Sequence, residues 1–208
     1  METKQIRAIS WSEWYVFYMK GEEAYYKQYI EGIREPPNQK MILGSVIHQM
    51  IEDPKYHWKQ TLNNAYFTSD IVRAVSKIEI PNVDINELDL TIEGELPCRA
   101  IIDGVDIDLD DDIVMGYEWK TSSSYWTQEK SDEHKQITHY CYCLWKKYKR
   151  LVPFRLLSIN TKNGKHRSFY TPRTMEQIMA WEQNLIAFRD DLINRGWWDK
   201  KISSNPKK

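Results

Sequence analysis

The sequence predicts an α/β (α+β) fold with a central mixed β-sheet flanked by helices and preceded by an N-terminal helical segment. Three observations carry this expectation. Residues 1–80 place bulky side chains at helical spacing. Residues 88–120 switch to short extended runs separated by turn residues. The chain then returns to a helix, a hairpin and a closing helix. A length of 208 residues suits one domain spanning 1–208. Within it, a helical segment covers 1–80, a sheet-and-helix segment 85–171, a C-terminal helix 174–196 and a short tail 203–208.

The elements follow in order. Aromatics at 11, 14, 15, 18, 25, 26 and 29 predict an amphipathic helix over 10–31, bent near Gly21 and ended by Pro36 and Pro37. A second helix is expected over 40–53 and a third over 68–78, with a loop at Pro81. Leu88–Leu96, Cys98–Asp103 and Ile113–Lys120 read as three strands. Helical spacing resumes over 129–150 and Pro153 stops it. Phe154–Thr161 and Lys165–Thr171 flank Asn163-Gly164, a dipeptide whose tolerance of positive φ favours a hairpin turn. The last helix is expected over 174–195, capped by Thr174 or Thr171 and stopped by Gly196.

Composition narrows the function classes. No run of ~18 apolar residues exists, so no membrane span and no membrane partner are expected. The opening METKQIRAIS lacks an apolar core, so no secretion signal is expected either. Three cysteines, Cys98, Cys141 and Cys143, are an odd number and fit a reducing, cytoplasmic location. Net charge is −1, but charge is segregated. Glu87 to Glu118 holds eleven acidic residues against one basic residue, Arg99, whereas Leu144 to Arg173 holds nine Lys and Arg and no acid. Such a chain can hold a cation at one place and a polyanion at another, although two solvated faces of opposite sign give the same pattern.

The chemistry centres on Glu118-Trp119-Lys120. On a strand, residues i and i+2 share a face, so Glu118 and Lys120 project together and Trp119 points away into the core. Gly116 shares the Glu118 face and is expected to leave space for a ligand. Asp103 closes the preceding strand; if the two strands are neighbours, two carboxylates and a lysine converge. A hard cation such as Mg²⁺ takes oxygen ligands and waters, and a nearby ammonium stabilises charge on a phosphate under attack. The tripeptide alone reads more simply as a surface salt bridge. Two helical i, i+4 pairs add weight. Gly44 and His48 share a face, where glycine allows close approach and histidine can ligate a metal. Gln136 and Tyr140 share another and can bond phosphate oxygens or stack on a base.

In chain order these residues run Gly44-Ser-Val-Ile-His48, Ile102-Asp103, Glu118-Trp119-Lys120 and Gln136-Ile-Thr-His-Tyr140. The ordered set resembles the RecB-like branch of the PD-(D/E)XK nucleases, with its G-x-x-x-H, D, E-x-K and Q-x-x-x-Y motifs; Ser10-Trp-Ser12 and the aromatics after it also resemble that branch. The resemblance covers roughly residues 8–160. It implies a restriction-endonuclease-like core and a phosphodiester hydrolase acting on DNA ends or single strands. It also implies Mg²⁺ or Mn²⁺ held by Asp103 and Glu118, with the Trp119 carbonyl and His48 completing the shell. Lys120 would position or activate water, and Gln136 and Tyr140 would steady DNA and site. Ile102 stands where the superfamily name has proline. Some relatives carry an iron–sulfur cluster on four cysteines; three cysteines cannot supply one, so no cluster is expected and cluster-free exonucleases of viral and recombination systems are the better match. A homo-oligomer, or a recombination or replication protein as partner, is compatible with that setting. An endonuclease with the same centre and an inert DNA-binding module are the competing readings.

Other signals are weaker. Counting from Asp106, position six is Asp111 and position twelve Tyr117, which is not a calcium loop. His139, Cys141 and Cys143 lack a fourth zinc ligand nearby. No Walker-type phosphate loop is present. The basic run Lys146, Lys147 and Lys149, with Arg150, Lys162, Lys165 and Arg167 beyond it and Trp145, Tyr148 and Tyr170 interleaved, is the expected backbone-tracking surface for DNA.

Overall fold

The computed structural model describes residues 7–53, 55–64, 68–78, 82–124 and 126–200. Pro81 and the tail 203–208 fall outside them.

Ile9–Ser10 form a short strand, β1, and Ser10 caps the helical entry through a capping box with Glu13. The expected single helix over 10–31 is instead a chain of short pieces. These are α1 (Trp11–Tyr15), a π-helical turn (Val16–Lys20), α2 (Glu22–Tyr25) and a second π-helical turn (Tyr26–Ile30). Gly21, at φ 96°, makes the break. Aromatic crowding accompanies the irregular turns: Trp11 stacks on Trp14, and Phe17 packs edge-on to Tyr25 and Phe188.

Asn38 caps α3 (Gln39–Glu52) by accepting from the Met41 N–H. Next come α4 (Trp58–Asn64) and α5 (Ser69–Val75). Helix α4 has no apolar repeat to announce it, and Leu62 is buried on it. Strands β2 (Ile85–Ile92), β3 (Cys98–Ile107) and β4 (Ile113–Ser122) form an antiparallel meander. Strand β2 starts and ends earlier than its apolar run suggested, and β3 continues past Asp103 to Ile107. The expected helix over 129–150 is two helices, α6 (Gln128–Asp132) and α7 (Lys135–Tyr148). Arg173, the last of the nine basic residues between Leu144 and Arg173, is buried at this corner. It donates to the carbonyls of Ser131 and His134, which a continuous helix would have satisfied. Strand β5 (Phe154–Asn160) pairs parallel with β4 and antiparallel with β6 (His166–Thr171), so the sheet is mixed. Helix α8 (Met175–Asn194) is capped by Thr174, again with a capping box, and Gly196 follows it at φ 64°.

Among the described residues the sheet has six strands in the order β1-β3-β4-β5-β6, with β2 on the other edge of β3. Each face carries its own core. Ala100, Ile102, Phe154 and Leu156 pack under α7 and α8, with Ile137, Leu144, Trp181, Leu185 and the N-terminal aromatics. Trp119, Leu157 and Ile159 pack on the opposite face against Leu43, Val46, Ile47 and Ile51 of α3, Leu62 of α4 and Val75 of α5. Both faces covered by helices is the layered arrangement that buries a mixed sheet.

Candidate active site

Strand alternation slips at Asp103. Ala100, Ile102 and Val105 all join the core beneath α7, although 102 and 105 are three apart. Gly104 faces the other way, toward Trp119 and Val83. Strand β2 compensates at the same level. Between the pairs Asn86↔Gly104 and Leu88↔Ile102 stands Glu87, with left-handed φ of 52°, a conformation uncommon for a side-chain-bearing residue. The β3–β4 ladder runs from Ile107↔Ile113 to Gly104↔Tyr117. Beyond it Asp103 takes over, and its Oδ2 accepts from the backbone N–H of Trp119 at 2.7 Å. The carboxylate is therefore held against β4 by the group that a ladder carbonyl would otherwise have met.

Around Asp103 the expected residues assemble. His48 Nδ1, from α3, lies 3.4 Å from Asp103 Oδ1. On β4, Glu118 Oε1 is 2.5 Å from Lys120 Nζ. That ammonium also donates to Gln136 Oε1 at 2.7 Å, and Gln136 Nε2 donates to the Tyr140 hydroxyl at 2.6 Å. Glu118 is buried, whereas the side chains of Lys120, His48 and Asp103 keep 25%, 28% and 15% of their exposure, so the site opens on one side. Gln136 and Tyr140 both lie on the first turns of α7, and the Tyr140 ring packs toward Phe154 in the core. Its hydroxyl, not its face, belongs to the site.

Two glycines behave differently from expectation. A side chain on Gly116 would run into the Phe154 ring, so the space expected for a ligand is filled by Phe154. Gly44 lets α3 approach β4: its missing Cβ would stand 3.2 Å from Thr121 Oγ1, one residue past Lys120. Close approach is thus its role, but to strand β4.

The electrostatics are those of a crowded anionic site. Burial, then the negative charge of Asp103, pushes Glu118 up to about 7 against the pull of Lys120 and His48. Burial works against a charged His48, but the hydrogen bond and charge of Asp103, followed by Glu118, outweigh it and raise its pKa. Burial, then Glu118 and Asp103, holds the Tyr140 hydroxyl well above its ordinary range.

A divalent cation fits this donor set. Glu118 Oε2 is buried with no hydrogen-bond partner, and an orphaned carboxylate oxygen beside a second carboxylate is stabilised by a cation. Among the described residues no group of three or more His, Cys, Asp or Glu side chains is placed to hold a metal ion.

The structure does not bring the basic run to this site. Lys146 and Lys147 lie in the last turn of α7, and Lys149 is its left-handed C-cap. Lys146 is ten residues, ~15 Å of helix, from Gln136, and is paired with Glu182 at 3.1 Å. Sequence reasoning missed His134, at the α6–α7 break. Its ring lies tilted against Trp11 and Trp126, and burial, then Lys120, Arg173 and Lys130, lowers its pKa to about 3. No periodicity or motif marks it. His139 is a structural histidine: its ring bonds the Arg99 carbonyl and accepts from the Trp181 indole.

No known family's sequence model matches the chain, and no curated protein sequence matches it. Among solved structures, a protein of Eubacterium rectale provisionally assigned as an exonuclease superposes with a TM-score of 0.64. The match has 12% identity and covers 95% of this chain and 85% of that one. The two share an overall fold. A second structure, SSO0001, superposes with a TM-score of 0.30 at 12% identity, over 83% of this chain and 89% of that one, and carries no weight. Among the described residues, no helix is long and apolar enough to cross a membrane.

Proposed function

We propose that the chain is a metal-dependent DNA nuclease that hydrolyses phosphodiester bonds, acting as an exonuclease on DNA ends or single strands. The observation that carries this reading is the convergence of Asp103, Glu118 and Lys120 at the strand slip, with one buried Glu118 oxygen left open. The shared fold with the E. rectale protein supports it. Asp103 and Glu118 would hold Mg²⁺ or Mn²⁺, with the Trp119 carbonyl and His48 as further ligands; the bound cation would supply a more acidic water and charge neutralisation at the phosphate. Asp103 is fixed for this by the Trp119 N–H. Lys120, steered by Gln136 and through it by Tyr140, presents its ammonium where negative charge grows on the phosphate or orients the attacking water. His48 sets the orientation of Asp103 from the other side.

The test is digestion of linear and circular DNA, single-stranded and duplex, with Mg²⁺, with chelator, and with the Glu118→Gln protein. Linear DNA should be degraded, circular DNA spared, and both chelation and the substitution should abolish the activity. Cleavage of circles would change the reading to an endonuclease. Absence of metal-dependent cleavage on all four substrates would sink it.

A further inference from the structure

Beyond the catalytic end of β4 and β5, the chain forms a basic cleft that no motif marks. The β5–β6 turn packs against the end of α5 so closely that a side chain on Gly164, which sits at φ 72°, would collide with the Ala74 carbonyl. Between them lies a cleft of about 500 Å³ lined by Asp70, Arg73, Ala74, Lys77, Lys162 and Asn163. Its one carboxylate, Asp70, is bonded to Arg73 at 2.6 Å. Lys77 and Lys162 make no ion pair with any described residue, so two ammonium groups from separate elements face one opening with no acid to offset them.

Its position relative to the site is set by the sheet. Lys120 is in register with Ser158, and Ser122 with Asn160. The Thr161 N–H donates to the Ser122 carbonyl at 3.0 Å, which ties the turn to the strand bearing Lys120. Lys162 lies four residues past Ser158, about 13 Å along the strand direction at ~3.3 Å per residue, on the face of the sheet that α5 covers. That rise corresponds to about four nucleotides along one strand of a duplex. The end of α7 is at the opposite end of β5: Phe154, which begins β5, pairs with Gly116 rather than with the catalytic residues. There Lys146 is engaged by Glu182, and Arg150 by Asp112.

We infer that the cleft between α5 and the β5–β6 turn is a nucleic-acid backbone site, in which Lys77 and Lys162 hold phosphates of the strand a few nucleotides from the bond being cleaved. This rests on the nuclease reading and adds the path of the substrate to it. Phosphate contact by ammonium groups releases counterions, so it shows in the salt dependence of binding.

The experiment uses the full chain made inert by Glu118→Gln, and measures binding of a labelled DNA oligonucleotide, single-stranded and duplex, over a range of salt. Adding Lys77→Gln and Lys162→Gln should flatten the slope of log affinity against log salt by about 1.4 for the single strand or about 1.8 for the duplex, two contacts' worth. Unchanged thermal unfolding would show that these exposed positions do not disturb the fold. Lys146→Gln with Lys147→Gln in the same background should leave the slope as it was. In parallel, the unsubstituted chain is assayed for metal-dependent cleavage of a dinucleotide, too short to reach the cleft. Cleavage of the dinucleotide with a slope indifferent to Lys77 and Lys162, or with a slope that responds to Lys146 and Lys147 instead, overturns this inference and leaves the proposed activity standing. Failure of both cleavage and binding overturns the two together.

Discussion

A buried carboxylate with one oxygen paired and the other open is costly unless something binds it, and Glu118 is in that condition. Its neighbours define what each residue contributes. Asp103 is held by a backbone N–H, Lys120 by Gln136, and Gln136 is bonded in turn to Tyr140. Replacing Asp103 by Asn, Glu118 by Gln or Lys120 by Ala should each lower nuclease turnover by ~100-fold or more, the usual scale for removing a group that stabilises charge in a transition state. Near-normal turnover in a folded Glu118→Gln protein would remove the basis of the catalytic assignment. His48 sits 3.4 Å from Asp103 and not in the polar chain of Lys120, so His48→Ala should raise the Mn²⁺ concentration needed for half-maximal rate while DNA affinity stays level. A Mn²⁺ titration with the same midpoint in both proteins would make His48 a structural residue.

Elements meet around residues that have no room to grow. Phe154 fills the space over Gly116 and so locks the start of β5 to β4. Gly116→Ala should therefore destabilise the protein by ~1–3 kcal/mol, the range for forcing a methyl into a packed core, and Phe154→Leu added to it should recover some of the loss. Thermal or urea midpoints of the single and double variants decide this; a silent Gly116→Ala would mean that the ring moves aside freely. Element by element, the sequence was most legible where one face is apolar and a cap is present. Helices α3 and α8 and the β5–β6 hairpin lie within a few residues of expectation. It was least legible where tertiary contacts replace local ones. The α6–α7 break depends on Arg173 arriving from after β6, and the irregular N-terminal helix packs against Phe188 and Trp181 of α8, far along the chain.

Over the whole molecule, acid should act against the folded state through the buried His139 and the half-buried His134. Burial lowers His139 to about 4, the Arg99 carbonyl only partly opposing it, and His134 to about 3. The unfolded chain binds protons on both rings near pH 6.5, before the folded chain does. Stability from these groups is thus complete above about 6.5 and is lost as pH falls toward 4, on the order of 3 kcal/mol for His139 alone. Unfolding midpoints at decreasing pH should fall in that window, and the His139 ring should show no NMR titration above pH 5. A ring titrating near 6.5 would contradict its burial between the Arg99 carbonyl and Trp181.

Residue type and spacing determined the fold class and the meander followed by a helix and a hairpin, because period-2 and period-3.6 geometry is local and decides which side chains share a face; the set Gly44, His48, Asp103, Glu118, Lys120, Gln136 and Tyr140 was singled out by the resemblance of its order along the chain to nuclease motifs. Tertiary structure decided how those faces meet. The slip at Asp103 needs the left-handed Glu87 on a neighbouring strand, the ligand space over Gly116 is taken by a ring thirty-eight residues later, and the cleft of Lys77 and Lys162 joins a helix to a turn on the far side of the sheet. Each depends on contacts between segments distant in sequence, and no local pattern encodes which distant segment will supply them.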